Sequence, residues 1–188
     1  ELAASHKVLI GISLGGLLAA RAAAVEKRID GVVVYGAPFD TLDAALSLNP
    51  LLRLLYTTGR ANVLNRLVGA VMRFDSGVRW AIRNGMYSFG ASTPYEMLER
   101  AAGYTLHDVH EQVTCDVLTL RGVDDIYGPS QGKLFEDAFP NARSYDFVQF
   151  DRRSGGSEHC QVGAVELAAN EIVAWLRASS LELPGDHP

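Results

Sequence analysis

A serine, a histidine and a pair of aspartates stand where they could do chemistry together. Ser13 lies in Gly11-Ile12-Ser13-Leu14-Gly15, a Gly-x-Ser-x-Gly pentapeptide between an apolar run and an Ala-rich run. Asp124 and Asp125 come directly after the apolar stretch "VLTLRGV", and His159 sits in the Gly/Ser-rich stretch "DRRSGGSEHCQVG". A free serine hydroxyl is a poor nucleophile. It needs a base to take its proton and donors to hold the oxyanion formed on attack. An imidazole can be that base, and a carboxylate can hold the ring's other nitrogen and stabilise the imidazolium. A histidine just ahead of a helix has its neutral form favoured by the helix dipole, so His159 is expected to be a ready acceptor.

The surrounding elements must present these groups at one place. Val8–Ile12 is a continuous apolar run, which predicts a strand buried on both faces. Leu14–Val25 predicts a helix rich in Ala and Leu, and "IDGVVVYGAP" returns to strand character before Pro38 stops it. Strand, helix and strand in so short a span make a βαβ unit and imply parallel pairing. Glycines on either side of Ser13 then suit a tight strand-to-helix turn that holds the hydroxyl out. From 39 to 113 the pattern is one of short helices, with breaks expected at Pro50, Gly59, Gly77, Gly90 and Gly103; Thr93 is the expected cap of a helix beginning at Pro94. Strands are expected again at "CDVLTLRG" and "SYDFVQF", with a helix around "SQGKLFEDAF" between them. A final helix has a stripe of Val162, Val165, Ala169, Ile172, Val173 and Leu176 expected to face the core. The tail "LELPGDHP" is expected to fray. Residues 1–38 and 114–188 thus form an α/β core with a mainly parallel sheet, and 39–113 form a helical lid.

Composition sets the outer bounds. The chain has 188 residues, 48% hydrophobic and 21% charged, with a formal net charge of −5. That balance gives no electrostatic reason to expect a nucleic acid or an anionic membrane as partner. Cys115 and Cys160 do not make a disulfide framework and point to a reducing, cytoplasmic setting. No window reaches the roughly 20 apolar residues of a transmembrane helix. "ELAASHK" reads as neither a signal peptide nor a lipidation motif.

The segments "GISLGG" with "AARAAA", "SFGASTPYEML", "CDVLTLRGVDD" and "GGSEHCQVGA" carry a resemblance to the α/β-hydrolase superfamily. The chain is similar to its dipeptidyl-aminopeptidase/acylaminoacyl-peptidase-like group, related to 2,6-dihydroxypseudooxynicotine hydrolase. The resemblance spans nearly the whole chain, and "EHCQVGA" is its most group-specific part. It implies Ser13 as nucleophile, His159 as base and Leu14 as donor of one oxyanion-hole N–H. It selects Asp125, three residues after Gly122, as the acid, with Asp124 the alternative. It implies a small-molecule substrate, no metal and no organic cofactor. Ester or amide hydrolysis is the expected reaction; carbon–carbon hydrolysis of a diketone-like substrate is the enzymatic alternative, and a non-catalytic assembly module the rival from another class. The chain starts one short segment before the elbow strand. The family pattern therefore implies missing N-terminal strands, a bared sheet edge, and pairing with that segment or with a second copy.

Other residues receive plainer readings. His107 and His110, with Asp108 and Glu111, are expected on a solvated helix face rather than around a metal. Cys160 is expected to diverge from its neighbour His159 and serve packing. Glu158 is the expected cap of the final helix. Trp80, Met86, Tyr87 and Phe89 are expected in the lid core, with some of them lining a substrate pocket.

Overall fold

The computed structural model describes residues 6–179; the tail from 181 lies outside them. The chain divides into two compact units, one containing residues up to Phe39 and from Leu106 onward, the other spanning Asp40–Thr105.

The first unit is an α/β layer. Strands β1 (Val8–Ile12), β2 (Gly31–Tyr35), β3 (Asp116–Gly122) and β4 (Ser144–Phe150) form a parallel sheet in the order β1-β2-β3-β4. Val8 aligns with Gly31, Gly31 with Asp116, and Asp116 with Ser144. Helix α1 (Leu14–Val25) joins β1 to β2. Alternate strand residues face opposite sides. Val33, Tyr35, Leu118, Leu120 and Phe150 pack with Ala168 and Trp175 of the C-terminal helix to form one core. Residues 106–113 group with this unit: Leu106 and Val113 are fully buried, and Leu106 N–H donates to Phe39 O at 2.8 Å.

Two sequence expectations change here. β1 is not buried on both faces. It is the edge of the described sheet, and Ile10 and Ile12 are 47% and 57% exposed. Apolar content signals a strand but not its place in the sheet. The stripe on the last helix also differs: Val162, Val165 and Val173 are exposed, while Ala168 and Trp175 are buried with Leu167, Ile172 and Leu176 against them. Trp175 sets this face, because its ring packs on the sheet while Nε1–H donates to Asp146 at 3.1 Å.

The second unit is helical: α2 (Thr41–Ser47), α3 (Pro50–Thr57), α4 (Ala61–Phe74), α5 (Ser76–Ser88) and α6 (Pro94–Ala101). Side-chain caps start several of these helices. Asp40 accepts from Asp43 N–H, Asn49 from Leu51 N–H, Asp75 from Val78 N–H and Thr93 from Glu96 N–H. The α4–α5 break falls at Asp75, which ends one helix and caps the next; Gly77, expected as the break, lies in the first turn of α5. Pro50 opens α3 at a position where no N–H is needed. The core of this unit is Leu46, Leu55, Leu64 and Leu98. Trp80 and Tyr87 are not in it; they are 70% and 87% exposed on α5, which buries no residue fully. Met86 and Phe89 are partly buried, and the Phe89 ring meets Tyr104 edge-on at 5.0 Å.

In the first unit the chain continues after β3 through α7 (Gly128–Phe135) to β4, and its last described element is α8 (Val165–Ala178). Among the described residues no helix is long and apolar enough to cross a membrane.

Candidate active site

Ser13 occupies the turn from β1 into α1 with φ 55° and ψ −129°, left-handed backbone that a residue with a Cβ adopts at a cost. Its N–H donates to Tyr35 O at 2.7 Å, and its carbonyl accepts from Gly16 N–H at 2.8 Å. These bonds fasten the turn to the neighbouring strand. Gly11 makes the tightness possible, since a Cβ there would lie 2.1 Å from Gly15 O. Leu14 opens α1, and its amide is among the first-turn donors that a helix leaves without an internal partner.

The C-terminal end of β3 supplies the carboxylate. Asp125 is buried, and its Oδ1 accepts from Tyr127 N–H at 3.0 Å. Beneath it runs the buried side chain of Arg121, whose Nη2 donates to Gly128 O at 2.5 Å and lies 4.0 Å from Asp125 Oδ1. Asp124 points elsewhere: Arg152 donates to both its carboxylate oxygens at 2.7 Å, and that hydrogen bonding holds its pKa below the usual range.

The loop after β4 supplies the imidazole. Gly122 lets it approach β3, for a Cβ on Gly122 would lie 2.1 Å from Ser157 O. Asp124 N–H donates to Ser157 O at 2.8 Å, and Tyr35 OH donates to Cys160 O at 2.6 Å. Gln161 is fully buried and donates from Nε2 to Gly156 O at 3.1 Å. His159 opens a single 3-10 turn, His159–Gln161, in which Cys160 and Gln161 have φ of 50° and 46°.

These three elements bring the groups into one hydrogen-bonded line. Asp125 Oδ2 is 3.1 Å from His159 Nδ1, and His159 Nε2 is 3.0 Å from Ser13 Oγ. Burial alone would lower the pKa of His159. The hydrogen bonds to Asp125 and Cys160 outweigh it and push the group up to about 9. This reverses the expected dipole effect: α8 begins only at Val165, with Ala164 at its cap, so His159 is not at a helix N-terminus. Glu158 likewise does not cap α8.

Cys160 also departs from expectation. Adjacent side chains diverge on extended backbone, but the left-handed φ of Cys160 turns its Sγ back to 3.4 Å from His159 Nε2. The imidazole nitrogen that faces Ser13 therefore has a thiol beside it. Tyr127 is the residue the sequence reading missed. Its hydroxyl lies 3.2 Å from Ser13 Oγ, and its ring stands edge-on to His159 at 5.2 Å and 87°. Its position two residues after the acid was the available signal. His107 sits in a turn, and His110 opens a short 3-10 helix, His110–Gln112. Both rings lie edge-on to Phe39, and His110 Nδ1 is 2.6 Å from Ala138 O. No group of three or more metal-ligating side chains occurs among the described residues.

No family model matches the chain. Over 135 residues it is 27% identical to the hydrolyase poxO of Penicillium oxalicum, an alignment covering 68% of this chain and 32% of that protein. It is 24% identical over 183 residues to the hydrolase acrC of Aspergillus aculeatus, covering 89% and 41%. The chain thus spans 32% and 41% of the length of these two curated relatives. Among solved structures it resembles 2,6-dihydroxy-pseudo-oxynicotine hydrolase with a TM-score of 0.62 and 22% identity, over 89% of this chain and 38% of that one. It also resembles MGS-M2, an alpha/beta hydrolase from a Medee basin deep-sea metagenome library, with a TM-score of 0.51 and 15% identity, over 99% and 70%. The parallel sheet, its flanking helices and these likenesses give the chain the α/β-hydrolase fold.

Proposed function

We propose that this chain carries the reacting side chains of a serine hydrolase that cleaves an ester or amide bond. The observation behind the proposal is the unbroken line from Asp125 through His159 to Ser13, with Ser13 held in strained backbone at the strand-to-helix turn. Strain of that kind persists where the surrounding structure enforces it, and it clusters at reactive positions.

In this reading Ser13 Oγ attacks the substrate carbonyl as its proton passes to His159 Nε2. Asp125 accepts the hydrogen bond from Nδ1–H and stabilises the imidazolium. Leu14 N–H donates to the oxyanion, aided by the positive end of the α1 dipole. The imidazolium then protonates the leaving group. Water repeats the sequence on the acyl-enzyme and frees Ser13. The names hydrolyase poxO, hydrolase acrC, 2,6-dihydroxy-pseudo-oxynicotine hydrolase and alpha/beta hydrolase MGS-M2 support the reaction class.

A fluorophosphonate probe tests the nucleophile directly. The unmodified protein is expected to label at a single site, and Ser13→Ala to label not at all. Equal labelling of Ser13→Ala would overturn the assignment. In a hydrolysed-ester assay the same variant is expected to lose at least about 10³-fold in kcat/KM.

A further inference from the structure

The structure contains a second hydroxyl at the nucleophile. We propose that Tyr127 is a catalytic residue that donates a hydrogen bond to Ser13 Oγ while that oxygen carries charge, both as it attacks and as it leaves the acyl-enzyme. The inference rests on the serine-hydrolase reading and assigns one more group to the same site.

The argument begins with the valence of Oγ. A serine hydroxyl offers one proton and accepts two hydrogen bonds. When His159 is neutral at Nε2, Ser13 gives it its proton across 3.0 Å, so Oγ needs a donor on its other side. Tyr127 OH stands there at 3.2 Å, and a phenol can be that donor. When His159 is protonated, Nε2–H donates to Oγ and the phenol can accept instead. The pair adjusts to either state without a broken bond.

Tyr127 is also held where it can act. Its N–H donates to Asp125 Oδ1 at 3.0 Å, and Gly128 N–H donates to Asp125 O at 2.8 Å. The same short loop therefore sets both the acid that orients the base and the phenol that faces the nucleophile. Its ring is fixed edge-on against His159. Burial raises the phenol's pKa above its ordinary value, so the hydroxyl keeps its proton across the neutral range. A donor to an ionised oxygen is stronger than one to a neutral hydroxyl. The bond therefore strengthens as Oγ loses its proton, and again as the acyl C–Oγ bond breaks and its electron pair returns to Oγ. Differential strengthening of this kind lowers a barrier. No net proton leaves Tyr127 at any step; His159 carries the proton in both directions.

A packing role for the ring is the rival account, and Tyr127→Phe separates the two because it keeps the ring and removes the oxygen. In the full chain, Tyr127→Phe is expected to slow fluorophosphonate labelling and to lower kcat about 10- to 100-fold with little change in KM. Labelling at the unmodified rate, with Ser13→Ala silent, would refute the role of Tyr127 and leave the hydrolase reading standing. Labelling of Ser13→Ala would instead remove that reading itself. If the phenylalanine variant unfolds, 3-fluorotyrosine at 127 takes its place. That phenol is more acidic and nearly the same size, so the labelling rate is expected to fall at lower pH than in the unmodified protein. An identical pH profile would count against the proposal.

Discussion

The two ends of the parallel sheet hold similar charges in very different ways. At the N-terminal end, Asp116 accepts from Arg143 Nε at 2.9 Å and Nη2 at 2.6 Å, and from Ser144 Oγ at 2.9 Å. Arg143 Nη2 also donates to Asp30 O at 3.1 Å. Every strand residue there has ordinary backbone. At the C-terminal end, Asp125 meets His159 and lies over a buried arginine. All non-glycine residues described with positive φ, namely Ser13, Cys160 and Gln161, are at this end. So are Arg121 Nη1 and Gln161 Oε1, buried atoms without a hydrogen-bond partner among the described residues. One end is satisfied, and the other stores strain and unmet polar groups. A fold tolerates such costs where a site needs them, and parallel sheets place their sites beyond the carboxyl ends of the strands.

Matching substitutions at the two ends put the largest effects to the test. Asp125→Asn leaves the shape of the side chain but removes the charge that, in the proposed mechanism, holds the imidazolium and its tautomer. A loss of about 10⁴-fold in kcat/KM is expected. Asp116→Asn should do the reverse. It is expected to cost about 1–3 kcal/mol in denaturant unfolding, because charge-assisted bonds to Arg143 are lost, while kcat/KM of the folded protein stays within about twofold. Comparable activity losses from both would mean that the two ends are not functionally distinct.

A pH titration sharpens the same contrast. The hydrogen bonds from Arg143 lower the pKa of Asp116 from its ordinary 3.8. A lowered carboxylate contributes stability that is complete above the unfolded value and is lost as pH falls through the folded one. The N-terminal end should therefore weaken on the acid side. His159 is raised from 6.5 to about 9. Its contribution is complete below 6.5 and is lost as the pH rises through about 9. The proposed mechanism uses the neutral imidazole as base, so activity should climb over the same interval in which this stabilisation declines. Chemical unfolding and kcat/KM, measured at matched pH, are expected to move in opposite directions there. A flat rate profile from neutrality to pH 9 would show that the raised imidazole is not the base.

Much of this was legible in the sequence because the signals were local. Valines at 32, 33 and 34, bounded by Gly31 and Gly36, mark a strand whatever surrounds it. Thr93-Pro94 with Glu96 marks a helix start through groups that contact one another. Ser13 and Asp125 stand out as candidates because each comes just after an apolar strand, and His159 because it stands in a Gly/Ser loop after the last strand. The misreadings share another origin. Burial of Ile10 and Ile12 depends on what lies beside β1, and the buried face of α8 depends on where Trp175 meets the sheet. The backward turn of Cys160 follows from a left-handed φ that its residue type does not announce. Nothing in its residue type marks Tyr127; its hydroxyl meets Ser13 only through the fold of the loop after β3.

The smallest expected effect separates two adjacent residues of identical chemistry. Asp124 and Asp125 both follow β3, and residue type alone does not choose between them. Their surroundings do. Asp125 is buried and reaches His159 Nδ1, whereas Asp124 pairs with an Arg152 side chain that is 80% exposed. Exposed pairs contribute little, because solvent screens them and both side chains are held at an entropic cost. The backbone bond from Asp124 N–H to Ser157 O, which ties the histidine loop to β3, survives a side-chain change. Asp124→Asn should therefore leave the unfolding midpoint close to that of the unmodified protein and kcat/KM within about twofold. Set beside the Asp125→Asn loss, that result would fix the acid to one residue. A drop of similar size at Asp124 would mean that the histidine loop, rather than the carboxylate at Nδ1, governs the chemistry at this end of the sheet.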